Sequence, residues 1–129
     1  MIIYSALVRD LQIWIVNHIK DDLNIQSVAD RAGYSRYHLQ RIFSSECGKP
    51  LGVYLRECRL HHAAQDLLIT DDSILSVAVK YNFDSQQNFT RTFKKLYNTS
   101  PSKWRQKNKK LNYLAYECVF LPEYDDDEL

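Results

Sequence analysis

The chain holds 129 residues, 45% of them hydrophobic, with 17 Lys and Arg against 16 Asp and Glu for a formal net charge of +1. That is globular material for one domain or two small lobes, and it contains no apolar run of membrane-spanning length. Three cysteines, Cys47, Cys58 and Cys118, form neither an even disulfide framework nor a metal-binding spacing, so reduced cytosol is the expected compartment.

Three glycines, three prolines and the absence of alternating strand patterns predict a mainly helical protein. The apolar start, Met1 to Val8, is cut short by Arg9 and Asp10 and does not read as a secretion signal. From about Ser5 to Lys20 the residues Leu7, Leu11, Trp14, Ile15 and Ile19 recur at helical spacing as one buried stripe. Asn24 is the expected N-cap of a helix ending at Ala32, and Gly33 supplies the left-handed residue after it. Ser35 caps the next helix, which runs to about Cys47 before Gly48. Leu39, Ile42 and Phe43 face the core there, while Tyr37, Gln40, Arg41 and Ser44 share the outer face.

Pro50 opens a long helix ending near Thr70, with Tyr54 in the core. Asp72 or Ser73 starts the following short helix, and Asn82 stands where Gly33 stood, since Asn tolerates the left-handed conformation. Asp84 or Ser85 caps a further helix with Phe89, Phe93 and Leu96 inward and Gln87, Arg91, Lys94 and Lys95 outward. Ser100 and Pro101 begin a last helix to about Lys107, in which Trp104 plugs the core. Past Lys110 periodicity weakens, and Tyr124 to Leu129 reads as solvated.

Two of these segments are one device written twice. Ile25, Ser27, Val28 and Ala29 recur as Ile74, Ser76, Val77 and Ala78; after one extra residue in the turn, Arg41 and Phe43 recur as Arg91 and Phe93. A short helix, a tight turn and a second helix with a polar, cationic outer face is the layout of a helix-turn-helix DNA reader. Charge agrees. Up to Lys110 all 17 cations stand against ten acids, a net +7, whereas from Leu111 onward there are six acids and no cations. A polyanion is the natural partner of the basic body. The acidic end reads as a solubilising segment or as a competitor of phosphate for the basic face.

The stretches Ala32-Gly33-Tyr34-Ser35-Arg36-Tyr37-His38-Leu39-Gln40-Arg41, Phe83-Asp84-Ser85-Gln86-Gln87-Asn88-Phe89-Thr90-Arg91-Thr92-Phe93-Lys94 and Pro101-Ser102-Lys103-Trp104-Arg105 resemble the DNA-binding region of the AraC/XylS family, within its MarA/SoxS/Rob-like group. The resemblance implies an all-α, homeodomain-like fold of about seven helices. Residues 5–108 would form the DNA-binding domain: a first subdomain at 5–48, a linker helix at 50–70 and a second subdomain at 72–108, followed by an acidic tail at 109–129. It also implies a monomeric bacterial activator of stress and multidrug-tolerance promoters. Such a protein places two recognition helices in adjacent major grooves of double-stranded promoter DNA and recruits RNA polymerase. With no sensing domain recognisable, control by abundance is expected.

Carried over by position, the base readers are Tyr37, Gln40 and Arg41 in the first unit and Gln86, Gln87, Asn88 and Arg91 in the second. Arginine forks suit guanine O6 and N7, and glutamines suit adenine N6 and N7. Ser35, Arg36, Lys49, Ser85, Thr90, Lys94 and Lys95 are the candidate phosphate contacts, helped by helix N-terminal amides. Tyr37 stands where the group usually has Trp, and Asn88 where Thr is common. No metal or cofactor is expected, because His18, His38, His61 and His62 lack companions at ligand spacing. No nucleophile constellation, phosphate loop or carboxylate pair suggests an enzyme. The rival reading is a helical protein-interaction module or adaptor that does not bind DNA; it needs an exposed apolar patch where the outward faces carry Gln, Arg, Lys and Ser.

Overall fold

Residues 2–109 are described by a computed structural model. They form seven α-helices: α1 (Ile2–Asn17), α2 (Ile25–Ala32), α3 (Arg36–Cys47), α4 (Leu51–Ile69), α5 (Ile74–Lys80), α6 (Gln86–Tyr97) and α7 (Pro101–Asn108). The described residues contain no strand, and the architecture is all-α as expected. The acidic tail and Cys118 lie outside the described residues. The polypeptide divides within α4, after Arg56, into two compact units.

In the first unit α1 packs on α2 and α3. Its core is built from Leu11, Ile15, Ile19, Val28, Leu39 and Phe43, all nearly or fully buried. Helix α1 starts and stops earlier than the apolar spacing predicts. His18 closes it: the ring Nδ1 bonds the Trp14 carbonyl at 2.8 Å, and residues 18–20 continue as a turn, from which Ile19 still reaches the core. Tyr54 is half-buried rather than a core residue, resting at 5.3 Å between ring centroids against Phe43. Its hydroxyl favours an edge position, where water remains in reach.

The second unit repeats the plan with a more aromatic core. Phe89, Phe93, Tyr81 and Trp104 are buried, with Phe93 stacked on Tyr97 at 4.5 Å and edge-on to Trp104 at 5.9 Å. Leu96, expected inward, is only half-buried. Ala29 and Ala78 are fully buried at matching places. In each unit the second helix is packed onto the first, and a small buried side chain suits a close helix crossing.

Helix α7 is anchored by its cations to the end of α4, whose last carbonyls have no intrahelical partner. Arg105 donates from Nε to the Leu67 carbonyl at 2.8 Å and from Nη2 to those of Thr70 at 3.3 Å and Asp72 at 2.7 Å. Lys109 adds a bond to the Thr70 carbonyl at 3.1 Å and an ion pair with Asp71 at 2.8 Å.

Among the described residues of this unit one acid is buried. Asp66 is 8% exposed, and such a carboxylate is tolerated only if paired. Lys80 Nζ reaches its Oδ2 at 2.8 Å and the Tyr81 hydroxyl donates to the same oxygen at 3.0 Å. Burial, and then the charge of Asp66, pushes the Tyr81 phenol above its ordinary range. The Asp66 hydrogen bond likewise raises the Lys80 ammonium. An unfolded chain releases the tyrosine proton near pH 10, whereas the folded unit keeps it. The stabilisation is therefore complete below about pH 10 and is lost progressively above it. Tyr81→Phe is expected to lower the urea midpoint at pH 7 and to fall less steeply than the parent between about pH 10 and 11. Parallel curves would show that Tyr81 does not govern the alkaline limb.

Candidate nucleic-acid interface

Each unit builds its outward helix from local signals. In the first, Asn24 and Ser27 form a reciprocal capping box: Ser27 N–H donates to Asn24 Oδ1 at 2.8 Å and Asn24 N–H to Ser27 Oγ at 2.9 Å. Gly33 then adopts φ +81°, and the Tyr34 N–H reaches back to the Ala29 carbonyl at 3.2 Å. In the second, Asn82 takes φ +66° and the Phe83 N–H bonds the Ala78 carbonyl at 3.0 Å. The two turns are therefore the same hydrogen-bonded device, one with Gly and one with Asn. Ser35 caps α3 by accepting from the His38 N–H at 3.1 Å, and Ser85 caps α6 from the Asn88 N–H at 3.0 Å.

On α3 the apolar Leu39, Ile42 and Phe43 are buried, which turns Arg36, Tyr37 and Arg41 outward, with Gln40 half-buried at the margin. Tyr37 is 70% exposed. Arg41 lies over it, its guanidinium carbon 5.7 Å from the ring centroid and Nη1 3.4 Å from the hydroxyl. Such cation–π contact restrains a long side chain without neutralising it. A cleft of about 420 Å³ opens beside this pair, lined by Tyr4, Tyr37, His38, Arg41, Ile42, Ser45 and Glu46. Lys49, half-buried, follows the left-handed Gly48 (φ +76°) just past the far end of α3.

On α6 the buried Phe89 and Phe93 direct Gln86, Gln87, Arg91, Lys94 and Lys95 into solvent, with Asn88 and Thr90 half-buried. Gln86, Gln87, Thr90, Arg91 and Lys94 line one open cleft of about 440 Å³. Asn88 sits differently from its neighbours. Its Oδ1 accepts from Arg91 Nη2 at 2.8 Å while its own N–H is held by Ser85. The side chain thus aims the guanidinium, an i,i+3 pairing readable in the spacing but not in the residue type. Ser35, Arg36 and Ser85 stand exposed at the N-terminal ends of the two outward helices, where backbone N–H groups favour anions.

Two contributions were invisible in the sequence. Tyr4 joins the α3 cleft only because α1 packs on α3, helped by Ser5 Oγ donating to Glu46 Oε1 at 2.7 Å. The mutual restraint of Arg41 and Tyr37 depends on rotamers that spacing does not dictate.

Among the described residues, no group of three or more His, Cys, Asp or Glu is placed to hold a metal ion. His61 Nδ1 is engaged with the Tyr97 hydroxyl at 2.6 Å and His62 Nδ1 with the Cys58 carbonyl at 3.1 Å. Burial, with Glu46 nearby, pushes the Cys47 thiol up to about 11, so at neutral pH it is protonated and a poor nucleophile. No helix among the described residues is long and apolar enough to cross a membrane.

Comparison with known proteins agrees with this geometry. Residues 28–107 match the family model described as a helix-turn-helix domain. The chain is 43% identical over 102 residues to the transcriptional regulator Rob of Salmonella typhimurium, covering 79% of this chain but 35% of that protein. It spans about a third of the Rob and right origin-binding proteins it matches. It is 41% identical over 95 residues to the multiple antibiotic resistance protein MarA of Escherichia coli, covering 74% of this chain and 75% of the relative. Among solved structures, the DNA-binding domain of the global transcriptional factor AdpA in complex with a target DNA superposes with a TM-score of 0.72 at 25% identity, covering 78% of this chain and 90% of that one. The duplicated helix-turn-helix units, the family match and these relatives place the chain in the AraC/XylS family, in its MarA/SoxS/Rob-like group.

Proposed function

We propose that residues 5–108 act as one sequence-specific DNA-binding domain that inserts α3 and α6 into adjacent major grooves of double-stranded promoter DNA. The observation that carries this reading is the duplication itself: each unit buries one side of its second helix and offers an Arg with amide or phenol neighbours on the other. Tyr37, Gln40 and Arg41 read bases in one half of the site, and Gln86, Gln87, Asn88 and Arg91 in the other. Ser35, Arg36, Lys49, Ser85, Thr90, Lys94 and Lys95 hold phosphates. Because the units are similar but not identical, the preferred site is asymmetric and one copy of the protein fills it. The protein works in the bacterial cytoplasm, recruits RNA polymerase and activates stress and multidrug-tolerance promoters, in keeping with its likeness to MarA.

Selection of bound duplexes from a random pool tests the reading. An asymmetric consensus of two non-identical half-sites is expected, and recovery of no consensus would overturn it. Lys94 gives a companion prediction, since it stands exposed on the cleft rim. Lys94→Ala is expected to weaken all duplexes similarly and to reduce the slope of log K against log salt by about one. A loss confined to particular sequences would instead make Lys94 a base reader.

A further inference from the structure

The clefts beside the two outward helices are built differently. Gln86, Gln87, Thr90, Arg91 and Lys94, which line the cleft of the second unit, all belong to α6 itself. In the first unit α3 contributes Tyr37, Arg41 and Ser45, which follow one another at intervals of one helical turn and share a face. A second helix completes that cleft, because Tyr4 of α1 lines it as well. Tyr4 is half-buried, so part of the side chain remains open to solvent. Its place is maintained by the packing of α1 on α3 and by the neighbouring Ser5, whose Oγ donates to Glu46 Oε1 at 2.7 Å.

A helix with its side chains is about 10 to 12 Å across and the major groove is about 12 Å wide. An inserted α3 therefore fills the groove, and a side chain standing beside its reading face meets the rim, where the sugars and phosphates lie. The chemistry of the cleft favours the sugar. Glu46 brings a carboxylate into it, which repels a phosphate seated inside, whereas Tyr4 and Tyr37 supply aromatic rings and Tyr4 and Ser45 supply hydroxyl groups. A phenol covers an uncharged surface with its ring and still donates a hydrogen bond from its tip.

We propose that Tyr4 is a further DNA contact of the first half-site. Its ring packs on a deoxyribose of the strand bordering the Tyr37/Arg41/Ser45 side of α3, and its hydroxyl donates to a backbone oxygen there, a contact that exists only if α3 enters a major groove as proposed above. Being uncharged and directed at the backbone, the contact adds affinity without adding salt dependence or base preference.

Competition binding and hydroxyl-radical footprinting of the full chain on the selected consensus duplex test this, with Arg41→Ala measured alongside. Tyr4→Ala is expected to lower affinity about fivefold, and Tyr4→Phe, which keeps the ring, about twofold. The slope of log K against log salt is expected to stay as in the parent. Discrimination among single-base variants of the first half-site is expected to be unchanged, and protection to be lost only at deoxyriboses on one border of that half-site. Unchanged affinity in Tyr4→Ala overturns the proposal. Relaxed base discrimination in the first half-site also overturns it, since Tyr4 would then be a support for α3 and not a contact. If Arg41→Ala leaves the base preferences of the first half-site intact, the insertion of α3 is wrong and the Tyr4 contact falls with it. If Arg41→Ala relaxes them while Tyr4→Ala changes nothing, the Tyr4 contact alone is wrong.

Discussion

Replacing Phe93 by alanine is expected to cost about 3 to 5 kcal/mol, the range for removing a buried aromatic ring. Phe93 is fully buried, stacks on Tyr97 and meets Phe89 and Trp104, so the cavity would open at the centre of the second unit's aromatic cluster. It is also the inward face of α6, whose outward face carries Gln87 and Arg91. Loss of this packing therefore removes the support of the proposed second reading helix. The corresponding Phe43 sits in the first unit against Tyr54. Urea titration followed by Trp104 fluorescence checks the expectation. A midpoint unchanged within error would mean that the aromatic cluster collapses to fill the space.

The second large effect concerns recognition. Arg91→Ala is expected to lose about 1 to 3 kcal/mol of discrimination at one base step, the value of a good bidentate contact. The loss should be confined to the half-site read by α6, and Arg41→Ala should relax only the other half. The structure adds a graded control. Asn88 holds Arg91 at 2.8 Å and is itself held by Ser85, so Asn88→Ala frees the guanidinium without deleting it. It is expected to weaken the same step by less than Arg91→Ala, because rotamer freedom is regained while the donors remain. Competition binding against single-base variants of the selected consensus measures all three. If Arg91→Ala lowers affinity equally for every duplex, the residue holds phosphate and the assignment of bases to α6 is wrong.

The apolar residues of α5 qualify the contrast drawn between a DNA reader and a protein-interaction module. From the sequence the outward faces are Gln, Arg, Lys and Ser, and that holds for α3 and α6. Leu75 and Val79, however, form an exposed apolar face on the other helix of the second unit. An exposed apolar face and an exposed polar, cationic face thus coexist in one small unit on different helices.

Much of the fold was legible in the sequence because it is local. Asn24, Ser35, Ser73, Ser85 and Ser100 all prove to be N-caps; a cap needs only a side-chain oxygen within three residues of an orphan amide. Gly33 and Asn82 take the left-handed turn for an equally local reason, the low cost of positive φ at those two residue types. The spacing of Leu39, Phe43, Phe89 and Phe93 sufficed to say which sides of α3 and α6 are buried, and hence which face outward. What the chain alone could not settle depends on residues far apart in it. Asp66 becomes tolerable only where Lys80 and Tyr81 converge on it. Arg105 and Lys109 turn out to anchor α7 to the end of α4. Tyr4 reaches the α3 cleft through the packing of α1. Charge and periodicity name the residues able to bind a phosphate or read a base; only the folded arrangement shows which of them already have another partner.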